Sequence, residues 1–240
     1  MLLAWDLKRS KANNSMTQNS TIHDLLVIGG GINGVGIAAD AAGRGLDVVL
    51  CESNDLASAT SSASTKLIHG GLRYLEQYEF SLVRKALAER EVLLRNAPHI
   101  ITPLRFQLPH RPHLRPRWMI RAGLYLYDFL SKRVTLPASR SLRFAPDSPL
   151  VSSLRNGFEY SDAWVDDARL VVMVAKQAQQ HGAQILVRKQ CVEASEEGEI
   201  WRVSLMDTRT GLVETVRARA LVNAAGPWVE IFSNTVLPQK

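Results

Sequence analysis

Three glycines in the spacing G-x-G-x-x-G lie between a short apolar run and a helix-like run near the start of the chain. The apolar run ends at Ile28, and the glycines are Gly29, Gly31 and Gly34. In a parallel α/β sheet, this spacing permits a tight turn, close approach of a pyrophosphate and close packing of the helix on the strand. The helix N-terminus then directs its positive dipole end at the phosphates. The pattern predicts a dinucleotide-binding βαβ unit.

An acidic residue closes the second predicted strand of this unit. Glu52 lies about 20 residues beyond the glycines, where a carboxylate binds the ribose hydroxyls of a dinucleotide. We expect Asn33, within the turn, to contact the cofactor as well. A run of small polar residues then occupies positions 58–65, where an NAD domain would normally continue with further βα units. Its hydroxyls and amides suit a pyrophosphate and a flavin ring, which favours FAD over NAD.

The alternation of helical and extended patterns predicts an α/β fold. We expect a Rossmann-like FAD-binding domain with a parallel sheet, a helix layer and an antiparallel β-meander, interrupted by a substrate or cap-domain segment. The predicted helices cover residues 32–44, 80–97 and about 167–180. The predicted strands cover residues 24–28, 47–52, 184–187, 191–194, 200–206, 212–217 and 220–223.

A change in charge and proline content predicts the domain boundaries. Between Val92 and Tyr127 there is no acidic residue, while arginines accumulate among prolines. We therefore predict a FAD-binding domain at residues 23–92 and 162–226, with a substrate or cap segment that faces the membrane at 93–161. Residues 1–22 are predicted to be a flexible extension, in which Met16 is an alternative start to Met1. Residues 227–240 are predicted to begin a substrate domain that is incomplete at the carboxy end.

Composition excludes several classes of protein. A chain that is 46% hydrophobic and 22% charged is an ordinary globular one. No apolar run reaches the roughly 20 residues of a transmembrane helix, and early charged residues argue against a signal peptide. Cys51 and Cys191 lack metal-site spacing, and the aspartates at 166 and 167 suit a helix cap, so no metal is predicted. The net charge of +6 favours an anionic partner.

Longer stretches of the chain resemble one family. They are Val27–Ala39, Asp40–Gly45, Thr60–Leu75, Leu108–Leu114, Trp164–Leu170 and Asn223–Trp228. Together they resemble the FAD-dependent, respiratory glycerol-3-phosphate dehydrogenases. The resemblance implies oxidation of sn-glycerol 3-phosphate to dihydroxyacetone phosphate, with electrons passed through FAD to quinone. Members of that family are much longer, so we expect this chain to be an amino-terminal part.

The resemblance also implies site residues. Arg73 and Tyr74 are expected on the substrate side of the flavin, where a guanidinium suits a phosphate. For His69 two readings stay open: a base that takes the hydroxyl proton, or a ring nitrogen that bonds the backbone near the flavin. The remaining expected cofactor-binding residues are Thr60, Ser61, Ser62, Ser64, Lys66, Leu67, His69, Gly70, Val192, Ala225 and Gly226.

Residues 105–133 combine arginines with an apolar, aromatic run. A helix of this kind suits the surface of an anionic membrane better than a DNA groove, although burial in the cap domain fits its spacing equally well. We expect a cytoplasmic protein, attached peripherally to the inner face of the cytoplasmic membrane, with no nucleic-acid partner. Assembly into a homo-oligomer stays open. Two rival functions are an amine-oxidising flavoenzyme of the glycine oxidase type and a non-catalytic nucleotide- or membrane-binding fragment.

Overall fold

The structure of the chain is a computed structural model that describes residues 21–111, 113 and 115–236. Most of the predicted extension, with both candidate starts, and residues 237–240 lie outside the described residues. The helices and strands follow in this order: β1 (Ile22–Ile28), α1 (Ile32–Gly43), β2 (Val48–Glu52), β3 (Leu67–Ile68), α2 (Phe80–Asn96), β4 (Ile101–Pro109), α3 (Arg117–Phe129), β5 (Arg140–Arg143), β6 (Asn156–Val165), α4 (Asp167–Gln180), β7 (Gln184–Val187), β8 (Lys189–Glu197), β9 (Ile200–Asp207), β10 (Val213–Asn223) and α5 (Val229–Thr235).

The chain divides into two compact units. The first unit is Met1–Ser58 with Val174–Lys240, and the second unit is Ala59–Met173. The predicted cap segment, residues 93–161, is shorter than the second unit at both ends. The difference arises because β3 pairs with β6, which brings residues 67 and 68 into the same sheet as 163 and 164. Nothing in the local sequence near residue 59 signals that long-range pairing.

The first unit is built on a sheet of six strands. Their order is β7-β2-β1-β10-β9-β8. β7, β2, β1 and β10 are parallel neighbours, whereas β8, β9 and β10 form an antiparallel meander. The predicted α/β architecture, with a parallel sheet and a meander, is confirmed.

Strand β10 differs from its prediction. The sequence indicates two strands, 212–217 and 220–223, but the structure has one strand from Val213 to Asn223. Its first part pairs antiparallel with β9 as far as Ala218, and its second part pairs parallel with β1 from Arg217 onward. Arg219 interrupts the apolar pattern because it forms an ion pair with Asp24. The break in the hydrophobic pattern therefore lies where β10 changes its pairing partner from β9 to β1. The strand does not end there.

Helix α1 buries small side chains. The buried face carries Gly34, Val35, Ala38, Ala41 and Ala42. Small residues at helical spacing allow the helix to approach a sheet closely. The helix contacts β1 and β2, which completes the predicted βαβ unit.

The second unit contains a sheet that the sequence did not reveal. β6 is its centre and pairs with β3, β4 and β5, all antiparallel. β4 contains Pro103 and Pro109, which argue against a strand in sequence-based reasoning. Because β4 pairs only with β6 among the described strands, it is an edge strand, where the missing proline N–H groups cost no ladder hydrogen bond.

Helices α2 and α3 belong to the second unit, and α4 has residues in both units. α2 and α4 have nearly the predicted bounds, and Asp166 caps α4 by accepting a hydrogen bond from the Arg169 N–H at 3.1 Å. α3 packs with one face, since Leu124, Tyr127 and Asp128 are buried. Within the described ranges, none of the helices has the length and apolar character needed to cross a membrane.

Candidate functional site

The glycines of the first turn leave no room for side chains. Gly29 has a φ of +113°, and a Cβ on it would lie 2.4 Å from the Ala224 carbonyl oxygen. A Cβ on Gly34 would lie 1.9 Å from the Gly29 carbonyl oxygen. Both clashes are with backbone atoms, which have no freedom to move away. The turn, the start of α1 and the end of β10 therefore pack backbone against backbone.

The N-terminus of α1 suits an anion. Its N-cap residue, Gly31, has no side chain to cap the helix, and its described first turn has no acidic residue. Asn33 lies exposed in that first turn. A helix N-terminus of this kind binds phosphate through its backbone N–H groups and its dipole.

Glu52 stands at the end of β2 with a fixed carboxylate. Oε2 accepts a hydrogen bond from the Gly30 N–H at 2.7 Å, and Oε1 accepts from the Asn54 N–H at 2.8 Å and the Ser53 hydroxyl at 3.1 Å. A carboxylate has about four acceptor positions, so Glu52 still has capacity for a hydroxyl. The side chain is half-buried, and its charge is held beside the glycine turn.

Two further predicted residues lie at the same edge of the sheet. The Ala224 N–H donates to the Ile28 carbonyl oxygen at 2.8 Å, and the Ala225 N–H donates to Asn223 Oδ1 at 3.2 Å. Gly226 follows with a φ of +57°. The structure thus brings Ala225 and Gly226 next to the glycine turn.

Val192 lies on another strand. It stands where β8 shifts register against β9, between Cys191 and Glu193. Cys191 packs in the same core cluster as Cys51, the neighbour of Glu52, and β8 contacts β2. The structure therefore places Val192 near the end of β2, although it is far from Glu52 in sequence.

Asp167 contacts Ser64 of the polar run and the nearby Lys66. Thr60, Ser61 and Ser62 form a single turn of 3-10 helix. The Ser64 hydroxyl donates to Asp167 Oδ2 at 2.7 Å, and Lys66 Nζ forms an ion pair with Oδ1. The hydrogen bond from Lys66 is the main cause that lowers the pKa of Asp167 to about 2. The side chains of Ser64 and Lys66 are engaged within the unit, and their contact with a cofactor stays a prediction.

An open cavity of about 470 Å³ lies in the second unit. Its lining includes four predicted site residues, Leu67, His69, Arg73 and Tyr74. It also includes residues that were not among the predicted site residues: Gly71, Leu72, Gln77, Phe106, Tyr160 and Asp162. Phe106 and Tyr160 stack with ring centroids 5.3 Å apart and form an apolar wall. Only the pairing of β4 with β6 brings these two rings together.

His69 is held by the backbone. Its Nδ1 accepts a hydrogen bond from the Gly71 N–H at 3.1 Å. The neutral ring therefore carries its proton on Nε2, and that nitrogen is a donor. This geometry favours the hypothesis that His69 forms a hydrogen bond with the backbone. It disfavours the hypothesis that His69 is the base.

A buried polar network lies beneath the same loop. The Gly70 N–H donates to the Tyr127 hydroxyl at 2.9 Å, and that hydroxyl donates to Asp162 Oδ1 at 2.8 Å. Arg90 forms an ion pair with Oδ1 of the same carboxylate. Burial, together with the Asp162 charge, raises the pKa of Tyr127, so the hydroxyl keeps its proton. The sequence did not signal this network, because its members are far apart along the chain.

Comparison with known families decides the identity of the chain. Residues 24–240 match the family described as FAD dependent oxidoreductase. The chain belongs to this family. FAD is therefore the cofactor, as the sequence predicted.

Individual relatives narrow the comparison within this family. A glycerol-3-phosphate dehydrogenase of Pseudomonas aeruginosa is 63% identical over 96% of this chain and 45% of its own length. The crystal structure of a glycerol-3-phosphate dehydrogenase from Bacillus halodurans, complexed with FAD, is 33% identical, with a TM-score of 0.65 over 90% of this chain and 36% of that one. A glycine oxidase from Geobacillus kaustophilus shares the fold alone, at 18% identity and a TM-score of 0.62 over 89% of this chain and 58% of that one. The chain spans less than half the length of the curated relatives it matches.

The residues of this FAD dependent oxidoreductase fit its cofactor. In the first unit, the open N-terminus of α1 fits a pyrophosphate and Glu52 fits a ribose diol, while Gly29 and Gly34 admit no Cβ. In the second unit, the Gly70 and Gly71 N–H groups are engaged within the protein, and contact of this loop with the flavin stays a prediction. No cluster of three or more His, Cys, Asp or Glu suited to a metal ion occurs among residues 21–111, 113 and 115–236.

Proposed function

We propose that the protein oxidises sn-glycerol 3-phosphate to dihydroxyacetone phosphate and passes the electrons to quinone. The observation that carries the proposal is the cavity of the second unit, which presents Arg73, Tyr74 and His69 together. The name of the Pseudomonas aeruginosa relative supports the same substrate. When bound, FAD supplies the two-electron acceptor.

The side chains of the cavity have distinct tasks in this proposal. The planar guanidinium of Arg73 binds the phosphate dianion through two parallel hydrogen bonds. Tyr74 and the Nε2–H of His69 add donors for oxygen atoms of the substrate. The stacked rings of Phe106 and Tyr160 give the cavity an apolar wall, and hydrogen bonds are stronger in less polar surroundings.

Reduction of the bound flavin tests this function. In the protein expressed at its natural length, we expect glycerol 3-phosphate to bleach the oxidised flavin without oxygen, and glycine to leave it unchanged. Arg73→Gln should raise KM for glycerol 3-phosphate by roughly 10- to 100-fold, because a charge-assisted pair is lost. The matched control is Arg84→Gln, which replaces an exposed arginine of α2. It should leave KM for glycerol 3-phosphate unchanged. Faster bleaching by glycine would favour the glycine oxidase type instead.

We propose further that the protein attaches peripherally to an anionic membrane through α3. Trp118, Tyr125 and Phe129 are 70%, 57% and 63% exposed and lie on one face of the helix. Basic residues flank this face, and the acidic residue of α3, Asp128, is buried. Exposed aromatic rings among basic residues suit the headgroup region of such a membrane.

Binding to phospholipid vesicles tests the α3 face. Trp118→Ser should lower partitioning onto vesicles that contain an anionic lipid by about tenfold or more, since burying a large apolar side chain contributes about 1.5–3 kcal/mol. High salt should also weaken binding, because the Debye length falls to about 3 Å at 1 M. The control is Val151→Ser, which removes an equally exposed apolar side chain of the same unit. If neither the substitution at Trp118 nor salt alters binding, the α3 face is not the membrane-binding site.

A further inference from the structure

Asp162 contributes a buried carboxylate to the wall of the cavity. The residue is 3% exposed, yet it lines the cavity together with Arg73. Its Oδ1 collects the ion pair with Arg90, the hydrogen bond from the Tyr127 hydroxyl at 2.8 Å and a longer one from the Gly70 N–H at 3.3 Å. One oxygen is thus anchored from three sides, and the orientation of the carboxylate is fixed.

The second oxygen of Asp162 is available to a ligand. Among the residues that the structure describes, every hydrogen bond to this carboxylate ends on Oδ1. Oδ2 is also not among the fully buried side-chain atoms that lack a hydrogen-bond partner. Asp162 itself is one of the residues that line the cavity. A buried acceptor that lacks a protein partner requires one from solvent or a ligand.

The surrounding charges indicate what kind of donor fits. Arg90 lies against Asp162, so the pair has no net charge to attract an ammonium group. Arg73, in the same cavity, has no carboxylate partner among the described residues and offers its charge to an anion. A ligand with an anionic group at one end and a neutral hydroxyl at the other satisfies both residues. A polyol phosphate has this chemistry, whereas an amino acid has an ammonium group in place of the hydroxyl.

We propose that Oδ2 of Asp162 accepts a hydrogen bond from the terminal C1 hydroxyl of the substrate, which makes Asp162 a specificity-determining residue for polyol phosphates. This inference rests on the proposed oxidation of glycerol 3-phosphate. The O–H bond at C2 breaks during that oxidation, so a permanent acceptor serves the hydroxyl at C1, which is present in both substrate and product. Arg90, Tyr127 and Gly70 act through Asp162 as positioning residues.

A comparison of two substrates tests the assignment. The first is glycerol 3-phosphate, and the second is 2-hydroxypropyl phosphate of the same configuration, which lacks only the C1 hydroxyl. In Asp162→Asn, the amide oxygen must face Arg90, Tyr127 and Gly70, so an NH2 group replaces Oδ2 in the cavity. We expect kcat/KM for glycerol 3-phosphate to fall by roughly 10- to 100-fold, the range for a hydrogen bond to a charged group, and that for the deoxy substrate to change by less than about threefold.

A matched control separates recognition from loss of a buried charge. Asp128 is buried in the same unit, accepts hydrogen bonds from Ser139 and does not line the cavity. Asp128→Asn should leave the ratio between the two substrates at its wild-type value. If Asp162→Asn does not fold, the double variant Arg90→Met with Asp162→Ala removes both charges together, and it should lose the same discrimination.

Several results would overturn the inference. Equal losses for both substrates in Asp162→Asn would show a purely structural role, and loss of flavin from the folded variant would show a contact with the cofactor. An unchanged ratio would show that Oδ2 does not contact the C1 hydroxyl. A wild-type protein that neither oxidises nor binds glycerol 3-phosphate would refute the proposed function as well. The results for the variants alone would refute only the role of Asp162.

Discussion

Gly34→Ala should yield a protein that binds no flavin, whereas Gly36→Ala on the same helix should bind it normally. The new methyl group on residue 34 would lie 1.9 Å from the Gly29 carbonyl oxygen, well inside any allowed contact. The oxygen belongs to packed backbone, and the methyl carbon is bonded directly to the Cα of residue 34, so α1 must move away from β1. Overpacking of this kind costs about 1–3 kcal/mol and occasionally more. The movement also displaces the helix N-terminus at which the pyrophosphate binds.

Gly36 is the matched control, because a Cβ there has no neighbour within 4 Å. Alanine has a helix propensity about 1 kcal/mol better than that of glycine, so Gly36→Ala should stabilise α1. Flavin absorbance per protein and the free energy of unfolding measure both effects. Normal flavin content in Gly34→Ala would contradict the cofactor assignment at this turn.

Arg90→Met should destabilise the second unit by about 3–5 kcal/mol, the usual cost of removing one partner of a buried ion pair. Arg90 is 1% exposed, and its loss leaves the Asp162 carboxylate buried without its countercharge. The double variant Arg90→Met with Asp162→Ala removes both charges and should be less destabilised than Arg90→Met alone. Denaturant unfolding of the wild type, both single variants and the double variant gives the coupling energy.

The Arg44–Asp40 pair provides the comparison for this prediction. It joins two exposed side chains four residues apart on α1. Pairs of this kind contribute about 0–1 kcal/mol, so Arg44→Met should have little effect on unfolding. Similar losses in Arg90→Met and Arg44→Met would show that the buried network contributes nothing specific to the stability of the unit.

Local patterns in the sequence predicted the βαβ unit and its cofactor. Strand and helix periodicities, the glycine spacing and Glu52 all occur within a stretch of about 30 residues, and each has a direct physical meaning there. The bounds of α1, α2 and α4 follow for the same reason, since caps and helical spacing are local. The resemblance that predicted Arg73 and Tyr74 on the substrate side of the flavin also concerns one short stretch, and both residues line the cavity of the second unit.

Pairing between distant residues decided the rest of the structure. The prolines of β4 argue against a strand, yet β4 pairs with β6 along its whole length. The polar residues within β10 indicate two separate strands, whereas they lie where one strand changes from β9 to β1 as its partner. Gly70, Arg90, Tyr127 and Asp162 meet although they come from four different segments of the chain. By itself, the sequence determined which short segments could form and which cofactor they suit. Only the tertiary structure decided which distant side chains share the cavity, because hydrogen bonds and ion pairs between them depend on how the strands pair and not on spacing along the chain.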